Sequence, residues 1–241
     1  MILSACDQSE DSRPFSRNLN IAVASNFAPA MNALTRAYPN AANDKIRVIA
    51  GSTGKLYAQI KNGAPFDLFF AADSRRPELL QAEGLVLDVS PYTYAIGKLV
   101  LWSPAQSRQF ALEELLTSEF RYLAIANPRL APYGEAAQQV LQVLGFWNAL
   151  QDRLVIGESI GQAYQFVDSG NADLGLLALS QFSANKSDYD GYFELVPDTA
   201  YTPIKQQVVL LNDNSGAHDF LRFVKSGAAK NIVRKYGYGV P

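Results

Sequence analysis

The sequence predicts an α/β protein of two lobes, its mostly parallel sheets covered by helices on both faces. Two observations lead there. From Leu19 onward, short β-prone runs alternate with helical segments, a texture that builds parallel sheets flanked by helices. Two stretches, Tyr94 to Val100 and Thr202 to Lys205, read as paired crossings between lobes, which places 19–96 with 205–241 in one lobe and 97–204 in the other. No internal repeat is present.

Each element has its local reason. Leu19 to Ala24 is a β-prone run, and Ala28 to Tyr38 follows with helical spacing, Pro29 suiting its first turn. Ile46 to Ala50 reads as strand, then Gly51-Ser52-Thr53-Gly54, then a helix from Lys55 to Lys61. Asp67 to Ala71 is strand, and Ser74 to Ala82 helix with Ser74 as its cap. Tyr92 to Trp102 reads as one longer strand with a glycine at its middle. Leu112 to Thr117 is expected helical, Arg121 to Ala126 strand, Gly134 to Leu144 helix, Leu154 to Gly157 strand and Gln162 to Asp168 helix. Asp173 to Ala178, Phe193 to Val196 and Ile204 to Leu211 are strands, and helices near Ala217 to Lys225 and Ala228 to Tyr236 end the chain.

Composition narrows the chemistry. The 241 residues are 48% hydrophobic and 18% charged, enough to bury a full core without staples. A net charge of -2 argues against nucleic acid or an anionic membrane surface as partner. One cysteine, Cys6, excludes a disulfide framework within the chain and a cysteine zinc site. One histidine, His218, excludes a histidine cluster. No apolar run reaches transmembrane length.

Four strand ends lead through small or hydroxyl residues into a helix: Ala24-Ser25-Asn26-Phe27, Gly51 to Gly54, Asn127 to Gly134, and Gly157-Glu158-Ser159-Ile160-Gly161. In a parallel sheet such turns share one edge, where ligands bind. Each helix start offers unpaired N–H groups and the positive end of a dipole, which together suit a small anion. Singly, each loop has a plainer reading: Ser25 or Asn26 as a cap, Gly51 and Gly54 as turn glycines. The set carries the anion reading.

Three segments are specific in combination. Ile21 to Phe27, Gly51-Ser52-Thr53-Gly54-Lys55-Leu56-Tyr57, and Gly63 to Asp73 resemble the periplasmic molybdate-binding proteins. Asn127-Pro128 through Tyr133-Gly134 and Gly157 to Ile160 match that family's second-lobe loops. The resemblance implies a type II periplasmic binding protein fold with the oxyanion in the cleft between lobes. The donors it implies are Ser25, Asn26 and Ser52 facing Tyr133 and Ile160, the last two mainly through backbone N–H. Some relatives place a tyrosine after the strand that ends here near Leu177; this chain has Ala178, and Tyr133 stands in for that hydroxyl. The resemblance also implies a monomer without cofactor that delivers molybdate or tungstate to an ABC permease.

Leu3-Ser4-Ala5-Cys6 resembles the bacterial lipobox, which makes Cys6 the lipidation candidate and 1–18 a signal remnant and flexible tether. Asp7 resembles the signal that keeps such lipoproteins on the inner membrane, so the expected location is periplasmic with a lipid anchor. The competing reading is a chance cysteine in a polar tail.

A site built only from N–H and O–H donors suits a fully deprotonated dianion and rejects a protonated one, whose proton would face no partner. Sulfate, with the same shape and charge, is the alternative cargo. An enzyme is the rival class: Gly157-Glu158-Ser159-Ile160-Gly161 fits G-x-S-x-G, with His218 downstream and Asp190, Asp198 and Asp213 between. No HGGG-type loop accompanies it, and a non-enzyme is expected. Gly51 to Lys55 hints at a phosphate loop but fails, with Ile49 for the first glycine and Leu56 for the final hydroxyl residue. Lys55 and Arg129 are expected to be solvated surface charges.

Overall fold

The structure is a computed structural model and describes residues 17–87, 91–104, 109–182 and 191–241. Cys6 with its lipobox-like motif, and Asp190, lie outside the described residues. The first part of the chain runs β1 (Arg17–Ala24), α1 (Ala28–Ala37), β2 (Asp44–Gly51), α2 (Thr53–Lys61), β3 (Leu68–Ala71), α3 (Arg75–Ala82) and β4 (Tyr92–Gly97). The middle runs β5 (Leu99–Pro104), β6 (Leu123–Ala126), α4 (Pro132–Val143), β7 (Leu154–Gly157), α5 (Ile160–Asp168), β8 (Leu174–Ala178) and β9 (Gly191–Leu195). The end supplies β10 (Ile204–Leu210), α6 (Ser215–Val224) and α7 (Gly227–Lys235).

These strands form two five-stranded sheets, ordered β2-β1-β3-β10-β4 and β7-β6-β8-β5-β9. In each sheet one strand, β10 or β5, runs antiparallel to both neighbours and the other four point one way. Both faces of β1 are covered, so Leu19, Ile21, Ala22 and Val23 are all fully buried. Leu19, Ile21 and Val23 join α1, α6 and α7 in one core, while Ala22 joins α2 and α3 in another. The second sheet packs with α4 and α5 into a third core.

The expected strand Tyr92 to Trp102 is two strands. Lys98 alone separates them, β4 pairing in the first sheet and β5 in the second. The chain therefore passes between lobes in one residue. It returns just before Ile204, which pairs with Gly97, so the two crossings lie side by side. The expected helix at Leu112 to Thr117 is a single 3-10 turn, Leu112–Glu114, followed by an irregular turn. Buried Leu112 and Leu115 tether it, and Leu112 N–H donates to the Glu194 carboxylate, holding the segment short of an α turn. Ser74 does not cap α3 with its side chain; Asp73 does, accepting from Arg76 N–H at 3.0 Å.

Candidate functional site

Four helix starts converge where the two sheets face each other. Their backbone donors can be accounted for one by one. At α2, Ser52 Oγ accepts from Lys55 N–H at 3.4 Å and Gly54 N–H donates to Leu130 O across the lobes at 2.8 Å. At α4, Pro132 has no N–H, and those of Gly134 and Glu135 both go to Ala131 O. At α5, Gln162 N–H goes to Ser159 Oγ and Gly161 N–H to Ser25 Oγ, both at 3.2 Å. In the turn after β1, Ala28 N–H goes to Ser25 O. The N–H groups of Asn26, Thr53, Tyr133 and Ile160 take no part in these bonds.

The hydroxyls are arranged to the same end. Ser25 and Ser52 each accept from a backbone N–H, so each keeps its single proton for another acceptor. Neither Ser25 nor Asn26 caps the helix that follows it; Ser25 Oγ instead accepts from Gly161 N–H at the start of α5, across the lobes. Gly54 lies 3.0 Å, measured from the position of a Cβ, from Leu130 O: it serves a close approach between lobes as well as a turn.

All five residues marked from sequence, Ser25, Asn26, Ser52, Tyr133 and Ile160, line one cavity of about 10 Å³, together with Thr53, Ala72 and Ala131. That is roughly the room of one water-sized sphere. Larger grooves of about 340 and 480 Å³ open beside it and share lining residues with it. No Asp, Glu, Lys, Arg or His lines the cavity. Burial holds the Tyr133 phenol well above its ordinary pKa, so it stays a neutral hydroxyl. Lys55 lies at the mouth of the larger groove and pairs across the lobes with Glu158 at 2.5 Å, with both side chains about half-exposed. Arg129 contributes its backbone O to Arg76.

Beneath the cavity lies a buried polar network that sequence reasoning missed. Asn26 Nδ2 donates to Gln206 Oε1 and to Tyr238 Oη, both at 2.9 Å. Its protons are thus spent, and Asn26 offers the cavity its backbone N–H. Tyr238 and Ser180 hydroxyls both donate to Asn26 O. Gln206 Oε1 also accepts from Tyr94, and Gln206 Nε2 donates to Tyr133 Oη at 3.2 Å. Gly97 is a glycine for this network: a Cβ there would meet Tyr133 Oη at 2.1 Å and Gln206 Nε2 at 2.8 Å. Ala178 itself is buried in the second-lobe core; the hydroxyl near that position is Ser180. One signal was available. Gln206 interrupts an apolar stripe of Ile204, Val208 and Leu210 on a strand, and a polar residue there needs partners.

Ser159 and His218 are not brought together as a catalytic pair. Ser159 has an extended backbone (φ -137°, ψ 165°) and caps α5. A nucleophile elbow is a strained turn. His218 is half-buried on α6 and bonds to Asp213.

Comparison with known proteins agrees with this geometry. The family model for bacterial extracellular solute-binding proteins matches residues 19–239. The chain is 42% identical over 228 residues to the molybdate-binding protein ModA of Azotobacter vinelandii, covering 92% of this chain and 90% of that protein. It is 40% identical to the ModA protein of Rhodobacter capsulatus, over 90% and 86% of the two chains. The solved structure of an Azotobacter vinelandii periplasmic molybdate-binding protein superposes with a TM-score of 0.85 at 38% identity, covering 92% of this chain and 99% of that one. Two five-stranded sheets with an anion-suited cavity between them, matched over nearly the whole chain, make this chain a member of the bacterial extracellular solute-binding proteins.

Proposed function

We propose that the chain captures molybdate, and tungstate with it, between its lobes and hands it to the membrane permease of an ABC importer. The observation that carries this reading is the cavity of neutral donors, its lining free of charged side chains. The ModA relatives support the choice of cargo. The lobes are 19–96 with 205–241 and 97–204, in keeping with the two sheets. Ser25, Asn26, Ser52, Tyr133 and Ile160 bind the oxyanion: the serines through O–H, and Asn26, Tyr133 and Ile160 through N–H. The protein acts as a monomer, without cofactor or catalysis, in the periplasm. Its tether is a lipid on Cys6, a reading that rests on the Leu3-Ser4-Ala5-Cys6 motif.

Calorimetry with molybdate, tungstate, sulfate and phosphate in parallel tests the cargo. Molybdate and tungstate should bind alike and phosphate should not; absence of heat with molybdate removes the reading. Ser52→Ala should weaken molybdate binding about 10- to 100-fold, the loss of a hydrogen bond of about 1.5–3 kcal/mol to a charged group. Because Ser52 also caps α2, the same change should lower the melting temperature of the free protein by about 2–4 °C, from a cap worth about 1 kcal/mol.

Affinity should be flat between about pH 6 and 9, since the one titratable group on the cavity, Tyr133, keeps its proton there. Stability behaves otherwise at high pH. Burial raises the phenols of Tyr94, Tyr133 and Tyr238 in the folded state. Above about pH 10 the unfolded chain releases those protons while the folded chain retains them, so stability is present below that value and falls as pH rises past it. Melting curves and phenolate absorbance across alkaline pH check this: the buried phenols should ionise together with unfolding and not before it.

A further inference from the structure

Gln206 is fully buried on β10, next to the crossing between lobes, lies outside the cavity lining, and is hydrogen-bonded to the uncharged side chains of Asn26, Tyr94 and Tyr133. One end of its amide accepts from the Asn26 side chain and the other donates to Tyr133 Oη. Asn26 and Tyr133 line the cavity from opposite lobes. We propose that Gln206 is a positioning residue that sets the spacing between the donors of the two lobes, and through it the size of tetrahedral oxyanion the site accepts. The proposal rests on the oxyanion reading above.

Asn26 is fixed at its side chain by Gln206 and Tyr238 and at its carbonyl by Tyr238 and Ser180, so its N–H has little freedom to follow a ligand. Tyr133 is held at the far end of its ring by Gln206, and Gly97 leaves room for that contact and no more. A planar amide joining the two fixes their separation once the lobes close. Two oxyanions of equal charge and shape but unequal size, molybdate and the smaller sulfate, then meet donors at one spacing, and the smaller ion cannot satisfy both sides at once. Without the amide, the lobes are free to settle on either ion.

The test is Gln206→Met, which keeps the volume and removes the bonds to Asn26, Tyr94 and Tyr133, with Tyr133→Phe as a second variant that removes only the hydroxyl Gln206 donates to. Wild-type binding of molybdate comes first; its failure removes the oxyanion reading itself. Given that binding, molybdate affinity in Gln206→Met should fall about tenfold or more while sulfate affinity, measured by competition, stays level or rises, so that the ratio between the ions narrows. Tyr133→Phe should narrow the ratio in the same direction, and the double variant should add little to either single one. A preserved ratio in a folded Gln206→Met, or in Tyr133→Phe should the first not fold, overturns the proposal. So does a double variant whose losses simply add.

Discussion

Gly97→Ala should bind molybdate about 100-fold more weakly than the parent while losing much less of its ligand-free stability. The new Cβ would lie 2.1 Å from Tyr133 Oη, 2.8 Å from Tyr133 Cζ and 2.8 Å from Gln206 Nε2, all below the closest approach that carbon tolerates. Tyr133 and Gln206 are buried and hydrogen-bonded to each other, so neither can swing into solvent. The strain is relieved by displacing Tyr133 and with it the start of α4, whose N–H serves the cavity. Overpacking of this kind costs about 1–3 kcal/mol, and 100-fold in affinity is about 2.7 kcal/mol. Most of that cost should fall on the closed form, because opening the lobes draws Tyr133 away from β4. Calorimetry and solution scattering read it: weak binding with a more extended particle at saturating ligand. Removing the hydroxyl in a Gly97→Ala, Tyr133→Phe double variant should recover part of the affinity. Wild-type affinity in the single variant would mean the ring can shift without its backbone.

Gly134→Ala should be the more damaging change to the fold. Here the Cβ would meet Ala126 O at 2.3 Å, Ala126 C at 2.7 Å and Asn127 C at 2.8 Å, and all three atoms are backbone. No rotamer change relieves such a contact, so α4 must lift from the end of β6. A loss of about 3 kcal/mol is expected, lowering the melting temperature by about 6–12 °C. Gly227→Ala is the matched control: nothing lies within 4 Å of its Cβ position, and its φ is not positive. Its stability should be unchanged. Denaturant and thermal unfolding of both, side by side, separate a steric requirement from a general intolerance of alanine.

Much of this fold was legible because its signals are local. A β-prone run placed β1, and Pro29 marked the first turn of α1. The break at Lys98 was not legible. Tyr92 to Trp102 keeps a strand's texture throughout, and that texture carries no mark of which sheet a strand joins. The cavity residues were legible through their motifs; their roles were only partly so. Ser52 reads as an oxyanion donor from sequence, and the structure adds that its side chain caps α2 at the wall of the cavity. The Asn26 side chain reads as a donor to the ligand, yet its bonds go to residues 180 and 212 positions away. Contacts that distant leave no spacing for a motif to hold.

The short crossing at Lys98 has a consequence for the order in which the molecule can assemble. Strand β4 has a single neighbour in its sheet, β10, made more than a hundred residues later, whereas the strands of the second sheet are contiguous in the chain. In a polypeptide emerging from its N-terminus, the second lobe can complete itself while the first still lacks a strand. The last strand to arrive carries Gln206, and the tail after it carries Tyr238. The network that backs the cavity is therefore complete only with the end of the chain, so a nascent or truncated molecule has the cavity outline without the bonds that fix Asn26 and Tyr133.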